Sequence, residues 1–226
     1  MMYSFSMPAK NSRKIYVENG YYHIYNRGVE KRTIFLDKVD YAVFLSYLKS
    51  YLLPKNEKEL YEQLSDSNTS STKKNKILKL LRLNNFNKEI TLLAYCLMPN
   101  HFHFFIKQKN IGSIDRFMNS LATRYTMYFN RKYKRVGHLY QGVYKAVLVT
   151  SDGQFIYLSR YIHKQALPLQ PSSYSDYILR SKTEWVHPEE ILAHFSKNNK
   201  QLSYENFVTE ANDTFLAKDI VLEEDV

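Results

Sequence analysis

Residues 90–108, ITLLAYCLMPNHFHFFIKQ, constrain the fold more than any other stretch. Two apolar runs of strand length flank the turn signal Met98-Pro99-Asn100. A join this short leaves only an antiparallel pair, because parallel neighbours need a crossover of a dozen or more residues. The second run carries His101 and His103 on either side of Phe102. Side chains alternate along a strand, so the two histidines share one face and Phe102 takes the other. Two imidazoles so placed can reach one metal ion. They can equally be half-buried strand residues satisfied by hydrogen bonds, and the H-x-H spacing alone does not choose.

The rest of the chain supplies the other elements. Tyr21–Asn26, YYHIYN, is β-prone and ends at the turn signal Arg27-Gly28. Asp37 has the spacing of a helix cap with Asp40, and Tyr41, Phe44, Leu45, Leu48 and Leu52 follow at helical period until Pro54. Residues 65–76, SDSNTSSTKKNK, read as a polar, solvated insertion, with a short helix over Ile77–Leu83. After the strand pair, Ser113 is a candidate cap for a helix whose apolar stripe is Ile114, Phe117, Met118, Leu121, Ala122, Tyr125 and Phe129. Tyr140–Val149 reads as a further strand. A last helix opens with Ser151 and Gln154 at capping-box spacing and stops before Pro168. The order β-α-β-β-α-β predicts an α+β, ferredoxin-like antiparallel sheet with one extra helix. The expected division is a catalytic domain over 15–168, with the insertion at 65–76, and a helical C-terminal extension over 169–226.

Charge narrows the partner. The chain has 32 Lys and Arg against 22 Asp and Glu, a formal net charge of +10. From Glu205 onward there are seven acidic residues and one lysine, so the remainder is more basic still. Such a balance favours a polyanion, nucleic acid first. Thirteen phenylalanines and twenty tyrosines offer stacking partners for bases as well as core packing. The lone Cys96 rules out a disulfide within the chain and suits a reducing cytoplasm. With no apolar run of bilayer length and no signal pattern, a cytoplasmic protein without a membrane partner is expected.

Tyr157, Tyr161 and Gln165 fall at i, i+4 and i+8, hence on one face of the last helix. If that helix packs beside the histidine strand, the Gln165 amide oxygen is a third donor and a tyrosine one turn earlier stands beside the ion. A mixed nitrogen and oxygen set with open positions suits Mg²⁺ or Mn²⁺ with a phosphate, though two imidazoles also suit zinc. Such a set supports phosphoryl transfer to the tyrosine oxygen. A phenol ionises near pH 10, so phenolate at neutral pH costs roughly 4 kcal/mol, which a nearby cation offsets.

Four stretches, YHIYNRG at 22–28, MPNHFHFFI at 98–106, GHLYQGVYKAVLV at 137–149 and LSRYIHKQALP at 158–168, resemble in order the single-tyrosine HUH transposases, in particular the REP-associated tyrosine transposases. The resemblance implies that His101 and His103 are metal ligands. It implies that Tyr161 is the nucleophile, forming a 5′-phosphotyrosine on single-stranded DNA, with a hairpin or palindrome nearby, and leaving a 3′ hydroxyl. Where that branch usually has histidine, any residue, Asn-Pro, this chain reads His163-Lys164-Gln165-Ala166. Glutamine keeps the amide oxygen, as in related insertion-sequence transposases, and losing the proline is expected to lengthen the helix. Relatives of the insertion-sequence type act as dimers, so a homodimer is a further partner the resemblance allows.

Candidate DNA contacts are Arg27 at the end of the first strand, Lys145 in the fourth, and Arg160 and Lys164 beside the tyrosine, where His163 also lies. The cluster Arg124, Arg131, Lys132, Lys134 and Arg135 would track the backbone. His23 could belong to the site through the first strand, although a structural strand histidine is the preferred reading. Tyr157 is read as a packing residue and Trp185 as an anchor for the C-terminal helices.

Overall fold

A computed structural model of the chain describes residues 14–166 and 168–210. The strand pair forms as expected, with β2 (Ile90–Met98) and β3 (His101–Gln108) antiparallel and Met98 opposite His101. β1 (Tyr21–Arg27) pairs with the other side of β3, and β4 (Lys145–Leu148) with the far side of β1. The four-stranded order is β2-β3-β1-β4, antiparallel throughout. Together with the helices this is the ferredoxin-like arrangement.

β1, not β2, is therefore the inner neighbour of the histidine strand, and β2 lies at the edge of the sheet. Its apolar run is nonetheless buried, because the C-terminal part of the chain covers that edge. Leu97 N–H donates to the Pro171 carbonyl (2.9 Å), Ser173 to Tyr95 (3.1 Å) and His187 to Leu92 (2.9 Å). A bulge at Leu93 changes which residues face which core. Before it Ile90 and Leu92 join the first core, and after it Tyr95 and Leu97 do.

That first core lies under α1 (Lys38–Leu52) and α4 (Ser113–Lys132), against Tyr22, Ile24, Phe102, Phe104 and Ile106. The opposite face carries α5 (Asp152–Ala166), with Ala94, Cys96, Phe105, Leu158 and Ile162 between. Beyond α5 sit the short helices α6 (Tyr174–Tyr177), α7 (Glu189–Leu192) and α8 (Tyr204–Thr209), whose Tyr177, Ile191, Tyr204 and Val208 complete this second core. Trp185 stacks on Tyr95 with ring centroids 5.4 Å apart, anchoring the extension to β2. Residues 211–226, with most of the acidic tail, lie outside the described residues. Among the described residues no helix is long and apolar enough to cross a membrane.

Several local expectations need correction. The polar segment 65–76 is half helix. α2 (Glu57–Ser65) is capped by Asn56 and is an additional helix. α3 (Ser71–Arg82), capped by Ser70, contains most of the expected Ile77–Leu83 helix but begins within the segment expected to be a solvated insertion. Only Ile77 of the two helices is buried, so their composition imitates a loop while their caps and helix-forming residues do not. Ser113 does not cap α4. Gly112 does, at φ 84°, a conformation that favours glycine, and the Ser113 hydroxyl donates to Glu89 (2.8 Å) instead. The expected strand Tyr140–Val149 shortens to four residues. Tyr140 keeps one bridge to Gly28, and Gln141–Val143 turn outward before Lys145.

The Asp37 capping box is present, and Asp40 does more than cap. Its fully buried carboxylate accepts from Leu36 N–H (2.8 Å), Tyr128 (2.9 Å), Tyr133 (2.8 Å) and Lys132 Nζ (2.7 Å). Burial alone would raise its pKa, but the Lys132 ammonium and the two phenols outweigh it and the net shift is downward. The carboxylate thus ties the start of α1 to the end of α4. Asp40→Ala leaves the Leu36 N–H and the Tyr128 hydroxyl without their acceptor and Lys132 with Asp37 alone, and a loss of about 2–3 kcal/mol is expected in urea denaturation.

Candidate active site

The site lies on the α5 face of the sheet, built in cross-strand rows. Cys96, His103, Tyr25 and Lys145 pair in turn across β2, β3, β1 and β4. One step toward the Pro99-Asn100 turn, Met98, His101 and Arg27 form the next row. One step the other way are Ala94, Phe105, His23 and Val147. His101 and His103 thus share a face, as their spacing requires, and Phe102 points into the first core.

Each imidazole is anchored through Nδ1. His101 Nδ1 lies 2.6 Å from Asn100 Oδ1, and His103 Nδ1 lies 2.8 Å from Nε2 of His23. His101 Nε2 lies 3.4 Å from the Gln165 amide oxygen. His103 Nε2 is buried and has no hydrogen-bond partner. Burial lowers the pKa of both rings. For His103 the charges of His23, His101 and Arg27 add to it, and for His101 that of Arg27, with Gln165 opposing in both. Both are neutral imidazoles at physiological pH, as metal ligands must be. Both neighbours of His101 are amide oxygens, and a neutral ring donates to only one of them. The shorter contact, to Asn100, favours the proton on Nδ1, with the Nε2 lone pair toward Gln165. Two lone pairs facing each other, next to a buried nitrogen with nothing to bond, fit a cation. Among the described residues no three His, Cys, Asp or Glu side chains form such a group, so the candidate set is two imidazoles and the Gln165 amide.

α5 brings the tyrosine. Leu158, Ile162 and Ala166 are buried in the second core, which turns Tyr161 toward the histidines. Its ring lies edge-on to His103 and His23, with centroids 5.5 Å and 5.7 Å away. Tyr157, on the same helix face by spacing, packs on Phe207 of α8 (5.4 Å), as a packing residue should. The helix is capped at Ser151, whose hydroxyl accepts from Gln154 N–H (3.3 Å), and is described as far as Ala166.

His163, two residues beyond the tyrosine, is fully buried. Its Nδ1 lies 2.6 Å from the Tyr204 hydroxyl and its Nε2 2.7 Å from Ser173 Oγ, which accepts from Tyr95 N–H (2.9 Å). It therefore pins α5 to β2 and α8. Burial pushes its pKa down to about 3 from an ordinary 6.5. The unfolded chain binds this proton well before the fold does, so the stability it contributes is present above the ordinary value and lost as pH falls. From about pH 7 to about pH 5 this group alone should remove about 2 kcal/mol, with the buried imidazoles of the H-x-H adding in the same sense. His163→Asn should flatten the fall in urea midpoints over that range.

The proposed DNA contacts divide. Arg27 lies opposite His101, half-buried, and Lys145 is half-exposed in the His103 row. Lys164 is exposed on α5. Arg160, one residue before the tyrosine, is turned away. It is buried, lies over the Phe207 ring (5.3 Å) and donates to the Glu210 carbonyl. The α4 cluster is on the other face of the sheet and is partly engaged. Arg124 stacks on Tyr47 (3.8 Å), Lys132 bridges Asp37 and Asp40 (2.7 Å each), and Arg135 donates to Asn130 (2.9 Å). Arg131 and Lys134 are exposed. The loop leaving α4 returns to the His101 end of the sheet, where Val29 N–H donates to the Leu139 carbonyl (2.9 Å).

His23 joins the site through the first strand, the less favoured of its two sequence readings. It is fully buried and joined to His103. The signal was there in YYHIYN, since a strand antiparallel to HFHFFI, with the histidine on its inward face, places a third imidazole beside the pair. What was missing was the knowledge that β1 and β3 are neighbours.

The sequence model of the IS200-like transposases matches residues 67–165. No curated protein matches the chain. Among solved structures, a REP-associated tyrosine transposase bound to a REP hairpin aligns with TM-score 0.46 and 9% identity, over 77% of this chain and 95% of its own. A protein from Deinococcus radiodurans R1 assigned as a transposase aligns with TM-score 0.35 and 14% identity, over 68% of this chain and 96% of its own. The matched segment holds the H-x-H strand, α4, β4 and α5 through Gln165, and β1 lies before it. From residue 67 to Gln165, just under half of its length, the chain is similar to the IS200-like transposases.

Proposed function

We propose that the protein cuts and rejoins single-stranded DNA through Tyr161, with a hairpin next to the cleavage position as the feature that seats the strand. The observation that carries this is the convergence of the Tyr161 ring, the unpartnered Nε2 of His103, and the His101–Gln165 pair on one face of the sheet. The Tyr161 oxygen attacks phosphorus as its proton leaves to solvent, and the bond from phosphorus to the 3′ oxygen breaks. The 3′ oxygen takes up a proton, and the 5′ phosphate stays on the tyrosine. The reverse step needs only another 3′ hydroxyl, because the phosphodiester's bond energy is kept in the phosphotyrosine. His101 Nε2, His103 Nε2 and the Gln165 amide oxygen would hold Mg²⁺ or Mn²⁺, which when bound polarises a phosphate oxygen and stabilises charge at the transition state. Arg27 and Lys145, flanking the histidines on the same face, suit the phosphates on either side. Arg131 and Lys134 at the same end of the sheet suit the stem.

The test is covalent trapping. The full chain is incubated with Mg²⁺ or Mn²⁺ and labelled single-stranded hairpin oligonucleotides taken from DNA flanking its own gene. A denaturant-resistant protein–DNA band, abolished by EDTA, with a new 3′ hydroxyl on the released piece, is expected. Tight binding with neither adduct nor cleavage would replace this reading with that of a hairpin-binding module.

A further inference from the structure

His23 contacts both His103 and the ring of Tyr161, yet it lies on β1, before the segment matched to the transposases. Its Nε2 and His103 Nδ1 are 2.8 Å apart, and both side chains are fully buried. The ring centroids are 5.0 Å apart and the planes differ by 19°, which sets the rings edge to edge in nearly one plane. That is the geometry of a good N–H···N hydrogen bond, and one proton occupies it. Its position decides the state of the far side of His103. If His23 donated, a neutral His103 would carry its single proton on Nε2, a buried N–H with no acceptor, blocking the atom a cation must reach. If His103 donates, the lone pair is on Nε2.

We propose that His23 is a positioning residue, accepting the Nδ1 proton of His103 and so holding its lone pair on Nε2 in the plane that faces the site. Asn100 does the same for His101 from the turn, through an oxygen that can only accept (2.6 Å). Both imidazoles of the H-x-H are thereby set in one tautomer by two unrelated partners, one local and one from a strand 80 residues away. Outer partners of this kind fix ring orientation and raise ligand basicity. His23 also lies edge-on to Tyr161 (5.7 Å), so the same ring that orients the ligand limits where the nucleophile can swing. This inference rests on the metal-site reading of the proposed function.

Two measurements separate the two. In the metal-free wild-type protein, long-range ¹H–¹⁵N spectra, assigned by loss of signals in His103→Ala, report the tautomer directly. A proton on Nδ1 of His103 is expected, and a proton on Nε2 overturns the proposal with no variant of His23 involved. Mn²⁺ titration followed by the free-ion electron spin resonance signal is then compared across variants. His23→Leu should weaken binding roughly 10- to 100-fold, and His23→Gln, which keeps an acceptor oxygen, should recover most of it. Equal losses in both overturn the proposal, since lost packing then explains them. Wild-type affinity in His23→Leu overturns it too while leaving the metal site standing. If the wild type binds no Mn²⁺, or His103→Ala binds it equally well, the metal-site reading itself fails.

Discussion

Tyr161→Phe should yield a folded protein that binds single-stranded hairpin DNA and forms no covalent adduct with it. Phenylalanine keeps the edge-on contacts with His103 and His23, so the substitution removes one oxygen and little packing. α5 remains fixed by Leu158, Ile162 and the His163 bonds to Tyr204 and Ser173, and the urea midpoint should shift by no more than about 0.5 kcal/mol. Cleavage should fall by roughly 10⁴-fold or more, because losing a nucleophile leaves only the positioning of the strand. Quantifying the adduct on a denaturing gel, with Mn²⁺ affinity as control, checks both halves. An adduct that persists in the variant would make Tyr157 the nucleophile. That is the outcome its packing against Phe207 argues against.

The second large effect separates two residues that the H-x-H spacing treats alike. His101→Ala and His103→Ala should each bring cleavage to background and abolish Mn²⁺ binding, since one imidazole and an amide are too few ligands to hold the ion. Their effects on stability should differ. His103 is fully buried and shares a proton with His23, so truncation leaves a cavity and an unsatisfied ring, costing about 2–4 kcal/mol. His101 is half-buried at the end of its strand, and its loss should cost no more than about 1 kcal/mol. Urea denaturation beside the metal titration reads both. Cleavage at the wild-type rate by either variant with Mg²⁺ would remove that histidine from the site.

Much of the candidate site was legible in the chain because it rests on short periods. The shared face of His101 and His103 follows from alternation along a strand, and that of Tyr161 and Gln165 from one helical turn. The stripe of α4 and the Asp37 capping box follow from the same rules, and the structure has both. α2 and the first half of α3 are not legible in the chain for a converse reason. Two helices that bury only Ile77 between them leave almost no apolar period to read, and their caps are the main signal.

By itself, then, the sequence determined the types of the elements that pack on the sheet, the order that makes it ferredoxin-like, and which side chains share a face within one element. Only the tertiary structure decided which faces meet. His23 and His103 are joined across 80 residues, and His101 and Gln165 across 64. Arg160 and Lys132, basic residues beside or among the candidate DNA contacts, are turned to Phe207 and Asp40. The reason is physical. Alternation and helical pitch are properties of a few consecutive residues, whereas register between β1 and β3 and the seating of α5 are set by burying both sheet faces at once, a condition on the whole chain.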